Sequence, residues 1–187
     1  ISAFYKKYGC YVEWYDQSRR YDVVYMSKVF SFSPEPFSKI NADEVIRGGS
    51  GYAIKLIDGK EVFDKENHLN LSAQIEHIYP DYSLYGIKNT AYGFMSRGCP
   101  RGCSFCHVQA KEGCRSRKVA DLSEFWNGQK NIELLDPNTF ACSEWKDIVT
   151  QLIESKAQVN FNQGVDIRMM TPEKIELLMK VNTKHIH

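Results

Sequence analysis

The chain has 187 residues, of which 43% are hydrophobic and 25% charged, the balance of an ordinary globular protein and of neither a disordered tail nor a membrane span. Twenty-four Lys and Arg stand against 23 Asp and Glu, a formal charge of +1, so no global field favours nucleic acid or an anionic membrane. No run approaches the roughly 18 apolar residues of a membrane helix and the start lacks a signal-peptide layout, so a cytoplasmic address and no membrane partner are expected.

Ile1 to Tyr8 reads as the last turns of a helix ending at Gly9, and the alternating Tyr11 to Tyr15 as a strand. Asp22 to Phe30 is rich in β-branched and aromatic residues and stops at Ser33-Pro34-Glu35-Pro36, so a strand is expected there. Glu44 to Arg47 is a shorter strand candidate running into Gly48-Gly49-Ser50-Gly51. That glycine run reads as a tight turn; a phosphate cradle is the weaker alternative, because the dinucleotide-binding spacing is missing and no helix clearly follows. Tyr52 to Tyr85 has weak patterning and is expected to be a loop-rich connector.

The second half has a clearer rhythm. Ala91 to Ser96 predicts a strand, and Asp121 caps a short helix carrying Leu122, Phe125 and Trp126. Ile132 to Leu135 reads as a buried strand ended by Asp136-Pro137-Asn138. Glu144 to Ser155 places Trp145, Ile148, Val149, Leu152 and Ile153 at helical spacing, an inward stripe. Val159 to Met170 is expected to be extended, Thr171-Pro172-Glu173 opens a helix with Ile175, Leu178 and Met179 inside, and Lys184 to His187 starts a further strand. Strands alternating with helices predict an α/β protein with a parallel sheet, although four strands do not close a barrel.

The chemistry-bearing segment is Ser96-Arg97-Gly98-Cys99-Pro100-Arg101-Gly102-Cys103-Ser104-Phe105-Cys106-His107. Thiolates are soft ligands that select iron–sulfur clusters or zinc, and Gly98, Pro100 and Gly102 suit a tight loop round one centre. A cubane cluster takes four thiolates, so a loop with three leaves one iron open to a small ligand. Zinc, completed by His107 or Cys114, is the alternative; zinc sites normally pair two short knuckles and here there is one. Cys114 and Cys142 read as ordinary thiols and Cys10 has no functional case.

The spacing Cys99-x3-Cys103-x2-Cys106, with Phe105 before the third Cys and a strand before the loop, resembles the signature of the radical S-adenosylmethionine (SAM) superfamily. The stretches Ala42–Gly49, Pro80–Tyr85, Val119–Trp126 and Phe161–Arg168 are similar to those of poorly characterised bacterial and phage-associated radical SAM proteins. The resemblance implies a 4Fe-4S cluster on Cys99, Cys103 and Cys106, with SAM chelating the fourth iron through its amino and carboxylate groups. One electron, from a donor such as flavodoxin or ferredoxin, then cleaves SAM to a 5′-deoxyadenosyl radical that abstracts hydrogen from an unknown substrate. It also implies a Rossmann-like, cobalamin-binding-like domain over residues 1–88 and a partial (βα) radical SAM barrel over 89–187, clipped at both ends. Cobalamin itself is not expected, because the Asp-x-His-x-x-Gly loop is missing. The Gly-Gly-Glu motif that often holds the SAM amino group is also missing, and Asp136-Pro137-Asn138-Thr139 stands in its place.

Asn138, Asn162, Gln163, Asp166 and Arg168 are the candidate cofactor or substrate contacts, since polar residues near the carboxyl ends of barrel strands line such sites. Asp166 and Arg168 could equally form an ion pair with each other. Arg97, Arg101, Lys111, Arg115, Arg117 and Lys118 make the cysteine region basic, which suits an anionic cluster and SAM carboxylate or a plain solvated face. Nucleic acid is the least supported partner, because Lys111 to Lys118 offers no aromatic platform. The other functional classes are a zinc-stabilised interaction module and a cluster-bearing electron carrier.

Overall fold

The computed structural model describes residues 1–35 and 39–183. The strand expected at Lys184 to His187 lies outside the described residues, as does Pro36 of the expected breaker. The chain divides into two compact units: Tyr11–Ser72, and Ile1–Cys10 together with Ala73–His187. This places the boundary before residue 73 and not at 88. The reason lies in local bonding. The Asp81 carboxylate accepts from Ser2 Oγ at 2.5 Å and pairs with Lys6 Nζ at 2.7 Å. Tyr82 Oη donates to the Phe125 carbonyl at 2.8 Å and accepts from the Tyr92 amide at 2.9 Å. Residues 73–88 and the N-terminal helix α1 (Ser2–Lys7) therefore belong to the cysteine-bearing unit.

The smaller unit pairs β1 (Tyr21–Ser27) with β2 (Ala42–Gly48) in parallel, with Val24 opposite Val45. The expected strand at Tyr11 to Tyr15 has no strand partner and is irregular. After β2 the glycine run bends: Gly49 has φ 92°, and a Cβ there would sit 2.4 Å from the Lys28 carbonyl oxygen. A one-turn helix, α2 (Ser50–Ala53), does follow it. The expected connector is in part an antiparallel hairpin, β3 (Ile54–Ile57) with β4 (Lys60–Phe63). Asp58 and Gly59 both have positive φ, as a type I′ turn requires. A Rossmann-like arrangement is not established by these two small sheets.

The larger unit carries a three-stranded parallel sheet in the order β5 (Thr90–Gly93), β8 (Asn131–Leu134), β9 (Gln158–Phe161). Between β5 and β8 come the ladder β6 (Ser96–Arg97) with β7 (Arg117–Lys118) and the short helix α4 (Val108–Glu112), while the one-turn helix α3 (Ala73–Glu76) precedes β5. The sheet registers in ranks: Ala91, Ile132 and Val159 lie side by side, as do Gly93, Leu134 and Phe161. This apolar face is covered by α5 (Trp145–Ser155), whose Ile148, Val149 and Leu152 are fully buried. Each such side chain stabilises the unit by about 1.5–3 kcal/mol. Gly93 is required by packing, because a Cβ there would lie 2.3 Å from the Phe125 ring.

Three details depart from expectation. The segment after β9 is not extended to Met170; Gly164 turns the chain at φ 79° and a 3₁₀ turn covers Ile167–Met169. In α6 (Pro172–Leu178), capped by Thr171 Oγ1, Leu178 is buried but Ile175 and Met179 are 47% and 81% exposed. The helix ends before Met179, and Leu177 rather than Ile175 packs on the core. A parallel bridge from Val159 to Thr183 adds a fourth chain segment beside β9. The architecture is thus mixed α/β with small parallel and antiparallel sheets, and the described strands form no closed barrel. No helix among the described residues is long and apolar enough to cross a membrane.

Candidate functional site

The cysteine loop leaves the carboxyl end of β5, where ligands gather in parallel α/β sheets. Its neck is tied four ways. The β6–β7 ladder pairs Arg97 with Arg117, and the Cys99 amide donates to the Gly113 carbonyl at 3.2 Å. Glu112, at the end of α4, accepts from the Gly98 amide and from Arg97 Nη1, both at 3.1 Å. Gly98 has φ 88°, and a Cβ there would sit 2.1 Å from the Arg115 carbonyl oxygen, so the neck admits no larger residue.

The fourth tie is Asp136, on the turn after β8 and 3% exposed. Its Oδ1 accepts from the Met95 amide at 2.7 Å. Its Oδ2 accepts from the Ser96 amide at 2.9 Å, Ser96 Oγ at 2.6 Å and Thr139 Oγ1 at 3.2 Å. Burial pushes the carboxyl up from its ordinary range, while these donors pull it down. A carboxylate that stitches one strand end to the next fixes where the loop begins. In the sequence Asp136 reads as a turn residue; the signal for its role is an acid placed directly after a buried strand.

At the loop itself, Cys99 Sγ accepts from the Arg101 amide at 3.5 Å and from Asn138 Nδ2 at 3.6 Å. Asn138 is 4% exposed, its carbonyl accepts from Ser116 Oγ at 3.0 Å, and its Nδ2 lies 3.4 Å from Asp166 Oδ2. Its side-chain oxygen is buried with no partner. Asp166 Oδ2 pairs with Arg101 Nε at 2.7 Å and Oδ1 with Arg168 Nε at 2.7 Å. The Arg168 hydrogen bond holds the Asp166 carboxyl well below the usual carboxylate range; burial opposes it and Arg101 reinforces it. Arg168 is raised chiefly by Asp166 and also by the nearby Cys103 and Cys99 sulfurs. Asp166 and Arg168 are therefore an ion pair, extended to Arg101, and this pair stands beside the cysteine loop.

Three of the five polar residues expected at the site, Asn138, Asp166 and Arg168, are thus gathered with Cys99. Asn162 and Gln163 are exposed on the turn after β9 and stand outside that hydrogen-bonded group. Arg101, which also reaches Met169 Sδ at 3.3 Å, joins it. Other members of the basic stretch are also paired: Arg97 with Glu112, and Lys118 with Asp121 and Asp147. That pairing reads as a charged face as readily as an anion site.

All six cysteines are free thiols; Cys106 is exposed, Cys99 and Cys103 half-buried, and Cys142 buried. The Cys106 amide donates to the Cys103 carbonyl at 3.0 Å, and Phe105 beside it is 85% exposed. Among the described residues no group of three or more His, Cys, Asp or Glu is gathered closely enough to hold a metal ion. The donor set suits an iron–sulfur cluster by its chemistry, and the orphaned Asn138 oxygen suits a donor-bearing ligand next to it. The grouping in space is not by itself a metal centre. Compared with known proteins, the chain matches no family model, no curated protein and no solved structure.

Proposed function

We propose that this chain is a radical SAM-type enzyme whose loop from Cys99 to Cys106 holds a 4Fe-4S cluster. The observation that carries the reading is a set of three unpaired thiols on one eight-residue loop, tied at its neck to the carboxyl edge of a parallel sheet. Cys99, Cys103 and Cys106 would hold the cluster, which would supply the electron that cleaves SAM. The chain's own residues do the positioning. Asp136, Glu112 and the β6–β7 ladder fix the neck. The Arg101 amide and Asn138 Nδ2 donate to Cys99 Sγ, and hydrogen bonds to cluster sulfurs raise a reduction potential. Asn138 Oδ1 offers a buried acceptor to the amino group of a bound ligand, and the Arg101–Asp166–Arg168 chain sets cations beside an anionic centre. The finer fold, a partial (βα) barrel, is part of this proposal; the parallel order β5–β8–β9 and the bridge at Thr183 support it.

The test is anaerobic reconstitution with iron and sulfide. Cluster binding requires about four irons per chain, lost in C99A, C103A and C106A and kept in C142A. Equal loss from C142A, or zinc in place of iron, contradicts the assignment.

A further inference from the structure

Two cysteines three positions apart can meet only where the backbone between them turns back on itself. In the cysteine loop the Cys106 amide donates to the Cys103 carbonyl at 3.0 Å, which closes a four-residue turn with the exposed Ser104 and Phe105 at its centre. Such a turn holds its end Cα atoms within about 7 Å, and a disulfide asks for about 4.4–6.8 Å between the same atoms. The turn thus brings Cys103 and Cys106 to bridging range without moving a strand or helix.

The neighbouring thiols are fastened elsewhere. Cys99 Sγ accepts from the Arg101 amide and from Asn138 Nδ2, and the Cys99 amide donates to the Gly113 carbonyl. These bonds tie Cys99 to the neck of the loop. Cys114 follows Gly113 on the returning side of that neck, which makes Cys99 with Cys114 the competing pair. Within the turn the two thiols differ in access: Cys106 is exposed and Cys103 half-buried. Access decides which sulfur meets a bulky oxidant first.

We infer that in the iron-free chain this loop is a dithiol–disulfide switch, in which a small-molecule disulfide such as oxidised glutathione converts Cys103 and Cys106 to an intraloop bridge. The Cys106 sulfur attacks the S–S bond of the oxidant, forming a mixed disulfide and releasing one glutathione thiol. The Cys103 sulfur then attacks the Cys106 sulfur, forming the bridge and releasing the second. The two protons leave on the departing glutathione thiols, so two protein thiols are oxidised and one glutathione disulfide is reduced. A bridge across so short a loop gains little from chain closure and sits on an exposed turn, so a dithiol reductant opens it again. The consequence rests on the cluster reading: the bridged form withdraws two of the three ligands, so the loop takes metal only when reduced. The pairing itself does not rest on that reading.

The full iron-free chain is incubated with oxidised glutathione, its remaining thiols are blocked with iodoacetamide, and it is digested with trypsin without reduction. Cleavage after Arg97, Arg101, Lys111 and Arg115 puts Cys103 and Cys106 together on the peptide 102–111 and leaves Cys99 and Cys114 on two others. Mass spectrometry should find the 102–111 peptide unlabelled and two hydrogens short, with Cys99 and Cys114 labelled, and dithiothreitol should restore two reactive thiols to it. Cys103→Ser should trap the glutathione mixed disulfide on Cys106, and Cys106→Ser should react several-fold more slowly at Cys103. A bridge between Cys99 and Cys114, glutathione left on both Cys103 and Cys106, or equal rates in the two variants would overturn the inference. Cobalt(II) added without thiol, read by its thiolate charge-transfer absorption, tests the consequence. The band should form with the reduced chain and not with the bridged one, and equal bands in both would overturn the switch. A mapped Cys103–Cys106 bridge with no band in either form upholds the pairing and contradicts the cluster reading alone.

Discussion

Replacing Asp136 with Ala tests whether one buried carboxylate holds the root of the cysteine loop. The native side chain satisfies the Met95 and Ser96 amides and two hydroxyls at 2.6–3.2 Å. The hydroxyls of Ser96 and Thr139 can rotate to other acceptors, but the two amides cannot. Each amide left unpaired in the interior costs about 1–3 kcal/mol. Some of that loss is recovered, because the desolvation of the carboxylate also disappears. A net loss of about 3 kcal/mol follows, a large share of the roughly 5–15 kcal/mol that holds a domain. Asp136→Asn keeps one acceptor and sets an NH₂ against one amide, so about half the loss is expected. Urea unfolding followed by Trp126 and Trp145 fluorescence measures both, and iron retention after reconstitution reports the loop. An Asp136→Ala chain within about 0.5 kcal/mol of the parent and retaining the same iron would refute the clamp.

Three further predictions follow from other parts of the same unit. Gly98→Ala forces a side chain into a left-handed backbone position against the Arg115 carbonyl, so it should abolish iron retention while the sheet core stays folded by circular dichroism; normal iron content would contradict the neck geometry. Burial pushes the Cys142 thiol up to about 11, so in the folded iron-free chain iodoacetamide should alkylate the exposed Cys10, Cys106 and Cys114 readily and Cys142 only after denaturation; mass spectrometry showing fast modification of Cys142 would rule this out. Asp81 is held well below the usual carboxylate range, first by Lys6 and then by Ser2 and Ser83. A depressed folded value means stability that is present above the unfolded value of about 3.9 and is lost as pH falls below it. The parent should therefore lose stability below about pH 4 more steeply than Asp81→Asn, and superimposable pH profiles would count against the Asp81 tie.

Legibility in the sequence followed burial. β8, β9 and α5 could be read because one face of each is buried, and Ile132, Val159 and the Ile148–Leu152 stripe carry that face in their spacing. The hairpin β3–β4 could not, because Leu56, Ile57 and Val62 are 44–74% exposed and their alternation reports no core. Its usable signal was the Asp58-Gly59 pair, a two-residue hairpin turn. Val159 to Met170 reads as one extended run although Gly164, at φ 79°, ends it, and the seven residues of α6 give the 3.6 period too little length to fix which face is buried.

The site divides along the same line. Asn138, Asp166 and Arg168 are legible as polar residues following strand ends, and they form one chain of contacts from Arg168 through Asp166 and Asn138 to Cys99. Asn162 and Gln163 shared that position in sequence but lie on an exposed turn. Asp136 and Glu112 act at long range in the chain, 40 and 14 residues from Ser96 and Gly98, and a single sequence carries no sign of such pairings. The division before residue 73 is not legible for a related reason: the contacts of Asp81 and Tyr82 with residues on either side are tertiary.

In the proposed enzyme, three cysteines leave one iron of the cluster open to SAM. The most direct measurement is electron paramagnetic resonance of the anaerobically reconstituted, dithionite-reduced chain with and without SAM, paired with assay of 5′-deoxyadenosine in the same sample. The expected result is a reduced-cluster signal whose shape changes on adding SAM, together with SAM-dependent 5′-deoxyadenosine. A cluster signal indifferent to SAM and no 5′-deoxyadenosine, or no iron signal at all, would contradict it.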